Sequence, residues 1–174
     1  STLKVSTISP LGTDATKTIT LGDSAGTLAI ASGAKTSGFG KIGQIVTVQN
    51  TTATSTTSSS FTDTGMSLAI TPTSTSSKVL CQISAGLGNT SSSSDVVVQV
   101  LRDTTQVLEC ARIAFNTGGH GNAQQFFQVL DSPSTVSEIT YKLQMKADGG
   151  TTRFNDSASN GNPSSSIILA EILD

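Results

Sequence analysis

The 174-residue sequence predicts an all-β protein: a jelly-roll-like antiparallel β-sandwich at the C-terminal side, preceded by an extended β shaft or anchor segment. Three observations predict it. Roughly a third of the residues are Ser or Thr, far above ordinary usage. Thr, Val and Ile are β-branched and suit a pleated, half-buried surface, whereas Ser and Gly suit tight turns. Apolar residues alternate with polar ones over short runs, turn-rich pieces punctuate those runs, and no window sustains a helical period.

The chain divides near Gly40, into an anchor or shaft segment, 1–40, and a knob domain, 41–174. Within 1–40, short apolar pairs are interrupted by Gly, Ser and Asp: Ile19 with Leu21, then Gly22–Gly26, then Leu28 with Ile30. Strands this short cannot bury a core in one chain. They become stable when copies wind around a common axis, so the segment reads as a shaft; an arm that orders on docking is the other reading.

After Gly40, eight strands are expected: Ile42–Gln49, Met66–Thr71, Lys78–Ala85, Asp95–Arg102, Gln106–Phe115, Gln124–Leu130, Val136–Ala147 and Ser166–Leu173. Met66, Leu68 and Ile70 share one face; so do Ile139, Tyr141, Leu143, Met145 and Ala147. Eight strands with Ser-, Gly- and Asn-rich connections suit a two-sheet jelly roll. Val96-Val97-Val98 and Ile167-Ile168-Leu169 are apolar on both faces, and a second apolar face needs cover from a neighbouring subunit or a loop. A homo-oligomer is therefore expected, in agreement with the shaft.

Bulk properties exclude several classes. Charged residues are 13%, aromatics 4%, and the net charge is −2. Low charge goes against intrinsic disorder. No basic face is visible, so nucleic acid is not an expected partner. Apolar runs such as Ile167–Ala170 are too short to span a bilayer, so no membrane insertion is expected. Ser1-Thr2-Leu3-Lys4-Val5 is not a signal peptide. Ser1 fits removal of an initiator Met, and a protein complete as made in a host cytoplasm is expected. Cys81 and Cys110 each lie in phase with aliphatics. They read either as buried thiols, as a reducing compartment favours, or as a disulfide between strands.

Chemistry-bearing motifs are sparse. Gly22-Asp23-Ser24-Ala25-Gly26 fits G-x-S-x-G, but a nucleophile elbow needs a helix after the Ser, and Thr27–Ala31 reads as a strand. The only His, His120, lies in Gly118-Gly119-His120-Gly121, where little would orient an imidazole for a triad. On a three-fold axis three copies of His120 form a nitrogen set suited to Zn²⁺ or Ni²⁺; a solvated loop His is the plainer reading. Asp95, Asp103, Glu109, Asp131, Glu138, Asp148, Asp156 and Glu171 are scattered, without Ca²⁺-loop spacing. No enzyme activity, cofactor or metal is expected.

Taken together, Ser1–Ile8, the Gly/Ser/Thr-rich stretch after it, Ser37–Ile42, Gln44-Ile45-Val46, Phe61–Met66, Ile70-Thr71-Pro72, Thr75–Leu80, Val100–Asp103 and Ile167–Leu173 carry a resemblance. They are similar to short tail-fibre or spike proteins of tailed marine and cyanobacterial bacteriophages. The resemblance implies a virion structural protein with a trimeric β knob, attached to other virion proteins through residues 1–40. It also implies host attachment through a surface glycan or protein. This chain is much shorter than long fibres, which leaves a capsid-decoration or tail-adaptor role as the alternative. Expected receptor-facing positions lie on Asn-, Gly-, Ser- and Thr-rich loops: 51–60, 89–94, 116–122 and 153–162. Asn89, Asn116, His120, Asn122, Arg153, Asn155 and Asn160 are the side chains singled out, because amides, imidazole and guanidinium can bond sugar hydroxyls.

Overall fold

A computed structural model describes residues 41–91, 94–114, 121–156 and 163–173; at 110–112, 114, 121 and 122 it describes the backbone alone. The chain divides between Phe39 and Gly40, and the expected shaft, 1–40, lies outside the described residues. Ten strands follow: β1 (Ile42–Asn50), β2 (Thr54–Thr56), β3 (Thr62–Ile70), β4 (Lys78–Asn89), β5 (Asp95–Arg102), β6 (Thr105–Ala114), β7 (Gly121–Asp131), β8 (Ile139–Ala147), β9 (Thr152–Phe154) and β10 (Ser165–Ile172). The described residues contain no helix.

Eight of these are the eight expected strands. β3 begins earlier than expected because its register slips between Asp63 and Ser67, with Gly65 at φ 81°. Such a bulge breaks the alternation that would have marked the segment. β8 begins later, at Ile139, and leaves Val136 exposed in the preceding loop.

All strand pairs are antiparallel. In the first sheet β1 pairs β10, β10 pairs β4 and β7 also pairs β4; beyond the end of β10, β9 pairs β4 at Leu87–Asn89 and β2 pairs β9. The second sheet runs β3-β8-β5-β6. The long strands thus read 1-10-4-7 and 3-8-5-6, consecutive strands alternating between sheets except at the β5–β6 hairpin, the order of two Greek keys. This is the jelly-roll sandwich that the sequence predicts.

The core fills the space between the sheets. Val79, Cys81, Ile83, Ala85 and Leu87 of β4 face Val96, Val98 and Val100 of β5 and the Ile139–Ala147 stripe of β8. Burying one large apolar side chain is worth about 1.5–3 kcal/mol, against ~1 kcal/mol net for a typical hydrogen bond. The β8 stripe, from Tyr141 and Leu143 at 0% to Ala147 at 5% exposure, therefore weighs more than any polar contact.

Cys81 is a free, buried thiol. Burial, with help from the charge of Asp131, pushes its pKa up to about 12, so it acts as a small hydrophobe. The side chain of Cys110 lies outside the described residues. Beside Cys81, Asp131 at the end of β7 ties the sheets together. Arg102 Nη1 donates to its Oδ2 at 2.6 Å and the Tyr141 hydroxyl donates to the same oxygen at 2.7 Å. Burial drives the Tyr141 pKa upward and Asp131 adds to it. Burial lowers that of Arg102, but the hydrogen bond and charge of Asp131 outweigh it and the net shift is upward.

Candidate functional site

The strand order sorts the loops by end. β4 runs from Lys78 to Asn89, with Asn89 opposite Gly121 of β7 and Thr152 of β9. Asp95 of β5 lies opposite Ala114 of β6, and Val96 opposite Ala147 of β8. The connections β1–β2–β3, β4–β5, β6–β7 and β8–β9–β10 therefore all leave the sandwich at one end. Every loop singled out in the sequence belongs to one of these four. β1 begins at the opposite end, where Leu173 N donates to Lys41 O at 2.6 Å.

Two of the expected receptor-facing residues are buried instead. Asn89 is 1% exposed. Its Nδ2 donates to Gly149 O at 3.2 Å and Asp95 O at 3.4 Å, and its Oδ1 accepts from Ser91 N at 2.8 Å. The amide thus joins the β4–β5 loop to the β8–β9 loop, a joint repeated where Thr90 N donates to Thr151 O at 3.1 Å. Gly150 must be Gly there: its φ is +64°, and a Cβ would stand 2.8 Å from Asn89 Oδ1.

Asn155 is fully buried, with φ 51°. Its backbone N donates to Gly86 O at 2.9 Å, and its Nδ2 donates to Asn50 O at 2.8 Å. Its Oδ1 accepts from the Ser165 hydroxyl at 2.6 Å, while Gly86 N donates to that same Ser165 oxygen at 3.0 Å. Asn tolerates the left-handed backbone, and its amide supplies both a donor and an acceptor to groups that would otherwise be buried unpaired. These two Asn side chains are corrected from ligand-facing to structural: they set loop shape, and the burial that makes them useful removes them from solvent.

Arg153 lies on β9 rather than in a loop, partly buried, with Nη1 3.3 Å from Asp156 Oδ2. Asn116, His120 and Asn160 lie outside the described residues, as do the side chain of Asn122 and the Gly22–Gly26 motif.

Among the described residues, the accessible chemistry at this end is hydroxylic. Thr51, Thr52, Ser55, Thr57, Ser59 and Ser60 are exposed, alongside Asp148. Asn50, with its Oδ1 accepting from Thr52 N at 2.7 Å and its Nδ2 donating to Gly65 O at 3.2 Å, fixes the start of this ledge. The Ser58 hydroxyl, accepting from Ser60 N at 3.0 Å and donating to Ser60 O at 2.9 Å, fixes the end. Such a ledge offers donors and acceptors to another hydroxyl-rich surface but no nucleophile with a base. Among the described residues no group of three metal-ligating side chains comes together. The sequence missed how β2, inside the 51–60 loop, pairs residue for residue with β9; three-residue strands carry no periodic signal.

Comparison with protein-family models finds none that matches this chain, and comparison with curated proteins finds no significant relative.

Proposed function

We propose that this chain is a structural protein of a bacteriophage virion, a short tail fibre or spike whose knob attaches to a host surface as a homotrimer. One observation carries the reading: four Ser-, Thr-, Asn- and Gly-rich connections leave the sandwich at one end, while β1, into which residues 1–40 lead, begins at the other. A display module needs its presented loops gathered at one end, apart from the strand by which the chain enters the sandwich. The exposed hydroxyls of 51–60 suit contacts to sugar hydroxyls, each weak. A three-fold repeat of the same ledge converts weak contacts into avidity. The sequence resemblance supports the same placement.

Fluorescently labelled full-length protein incubated with a panel of bacterial cells, cyanobacterial strains included, and with arrayed bacterial surface polysaccharides tests the reading. Attachment predicts saturable binding to some members. It also predicts that Thr52→Glu with Ser55→Glu, which put two charges on the ledge, weaken binding about tenfold or more while leaving the circular dichroism spectrum unchanged. Absence of binding across the panel, combined with labelling of the chain on capsids, would replace attachment by decoration of the particle.

A further inference from the structure

Alternation along an antiparallel strand ordinarily leaves the outer face of each sheet polar. The second sheet is largely polar outside: Asp63, Gln99, Lys142, Gln144 and Lys146 line that side, with the half-buried Val97 and Leu101 of β5 among them. There Lys142 Nζ lies 3.3 Å from Asp63 and Gln99 Nε2 donates to Gln144 Oε1 at 2.7 Å. The first sheet departs from this rule. Reading its registers across, Ile45 lies opposite Ala170, Ala170 opposite Leu80, and Leu80 opposite Leu130, an unbroken apolar row over four strands. Ile42 and Ile168 extend it along the strands on either side. Ile45 is 60% exposed, Ile42 56%, Leu130 54% and Ile168 39%.

We infer that this outer face of β1-β10-β4-β7 is the surface through which copies of the chain associate. The inference rests on the homo-oligomer proposed above and names the face that would build it. A second copy, rather than a foreign partner, follows from the chemistry of the face. Lys78, at its margin, is the one charged side chain on the outer positions of these four strands among the described residues, so two such faces meet without repulsion. Its polar members are amides and hydroxyls, including Gln82 opposite Gln128 in the next row. Each amide both donates and accepts, so copies of the same group can satisfy one another, which a face of Lys or Glu could not do. Four strands spaced ~4.8 Å apart, and rows repeating every ~3.3 Å along them, give a face of roughly 20 Å by 20 Å. That is on the order of 400 Å², the scale of an interface core within the ~800 Å² that each partner gives a stable complex.

Sedimentation velocity of the full chain at micromolar concentration tests the face. Wild type is expected to sediment as an oligomer. Ile45→Glu and Leu130→Glu are expected to sediment as folded single subunits, their association weakened by about tenfold or more. Ile45→Gln and Leu130→Gln, which add no charge, are expected to dissociate on dilution where wild type does not. Ser67→Glu, on the exposed side of the second sheet, is expected to stay assembled. If wild type is an oligomer and the face variants keep its mass, copies associate elsewhere, and this assignment fails while the homo-oligomer stands. If wild type itself sediments as a single subunit, the homo-oligomer and the assignment fail together.

Discussion

Glu171 shows how a single residue in this chain is held charged inside the fold. It is fully buried on β10, in phase with Ile167 and Leu169. Gln44 Nε2 donates to one of its oxygens at 2.8 Å, and Thr73 donates to the other through its backbone N at 2.6 Å and its hydroxyl at 2.8 Å. Burial alone would raise its pKa, but the hydrogen bonds from Gln44 and Thr73 outweigh burial and the net shift is downward. A carboxylate whose folded pKa lies below its unfolded value, about 4.3, stabilises the fold above that value, and the contribution fades as pH falls through the folded pKa. Glu171→Gln, which presents an amide to donors expecting a carboxylate, is therefore expected to cost about 1–3 kcal/mol near pH 7. Urea midpoints measured from pH 7 down to pH 3 should show the wild-type advantage shrinking in the acid range; a constant gap would mean that its charge is irrelevant. Nothing local in the sequence marks this residue. Its partners stand 98 and 127 positions away, and only the closed fold brings them together. Asn89 and Asn155 teach the same lesson in reverse: Asn at a turn suits both a ligand and a buried backbone. The choice depends on depth, which spacing along the chain does not encode.

At the scale of elements, the long strands were legible because alternation gives each an inside and an outside, as Ile139 to Ala147 does over nine residues. β2 and β9 were not, because three residues show no period: β2 exists through pairing with β9, and β9 through pairing with β2 and with the end of β4. β4 itself carries a clue whose meaning needed the structure: Gly86 and Gly88 alternate with Ala85 and Leu87. At Gly86 a Cβ would stand 2.5 Å from Pro163 Cγ and 2.8 Å from its Cβ. Real side chains essentially never approach so closely, so Pro163, just before β10, lies directly on the bare strand. Gly86→Ala is expected to push Pro163 off the sheet and cost about 1–3 kcal/mol in chemical denaturation, as overpacking commonly does. Ser67→Ala, exposed on the outer side of the second sheet, is expected to change stability by less than about 0.5 kcal/mol. Equal effects at the two positions would show that Pro163 gives way freely and that Gly86 is not required for close approach.

For the whole molecule, the sandwich class could be read from alternation alone, but the strand order could not, because β1 and β10 pair across nearly the full length of the knob. Which outer face would stay bare was likewise hidden. Ile167-Ile168-Leu169 signals two apolar faces on one strand, yet only the registers align Ile168 and its neighbours with Ile45, Leu80 and Leu130. That alignment fixes the physical character expected of the proposed assembly. Association through a neutral face gains little from Coulomb attraction, so screening has little to remove. Its driving force is removal of apolar surface from water, which weakens on cooling and strengthens when sulfate is excluded from protein surfaces. The oligomer's dissociation constant is thus expected to change less than about threefold between 50 mM and 500 mM NaCl. It is expected to fall in ammonium sulfate and to rise between 25 °C and 4 °C, all three read by sedimentation equilibrium. A steep rise with NaCl would instead place the contact on the charged second sheet, around Lys142 and Lys146, because only an interface of opposite charges loses its attraction to salt.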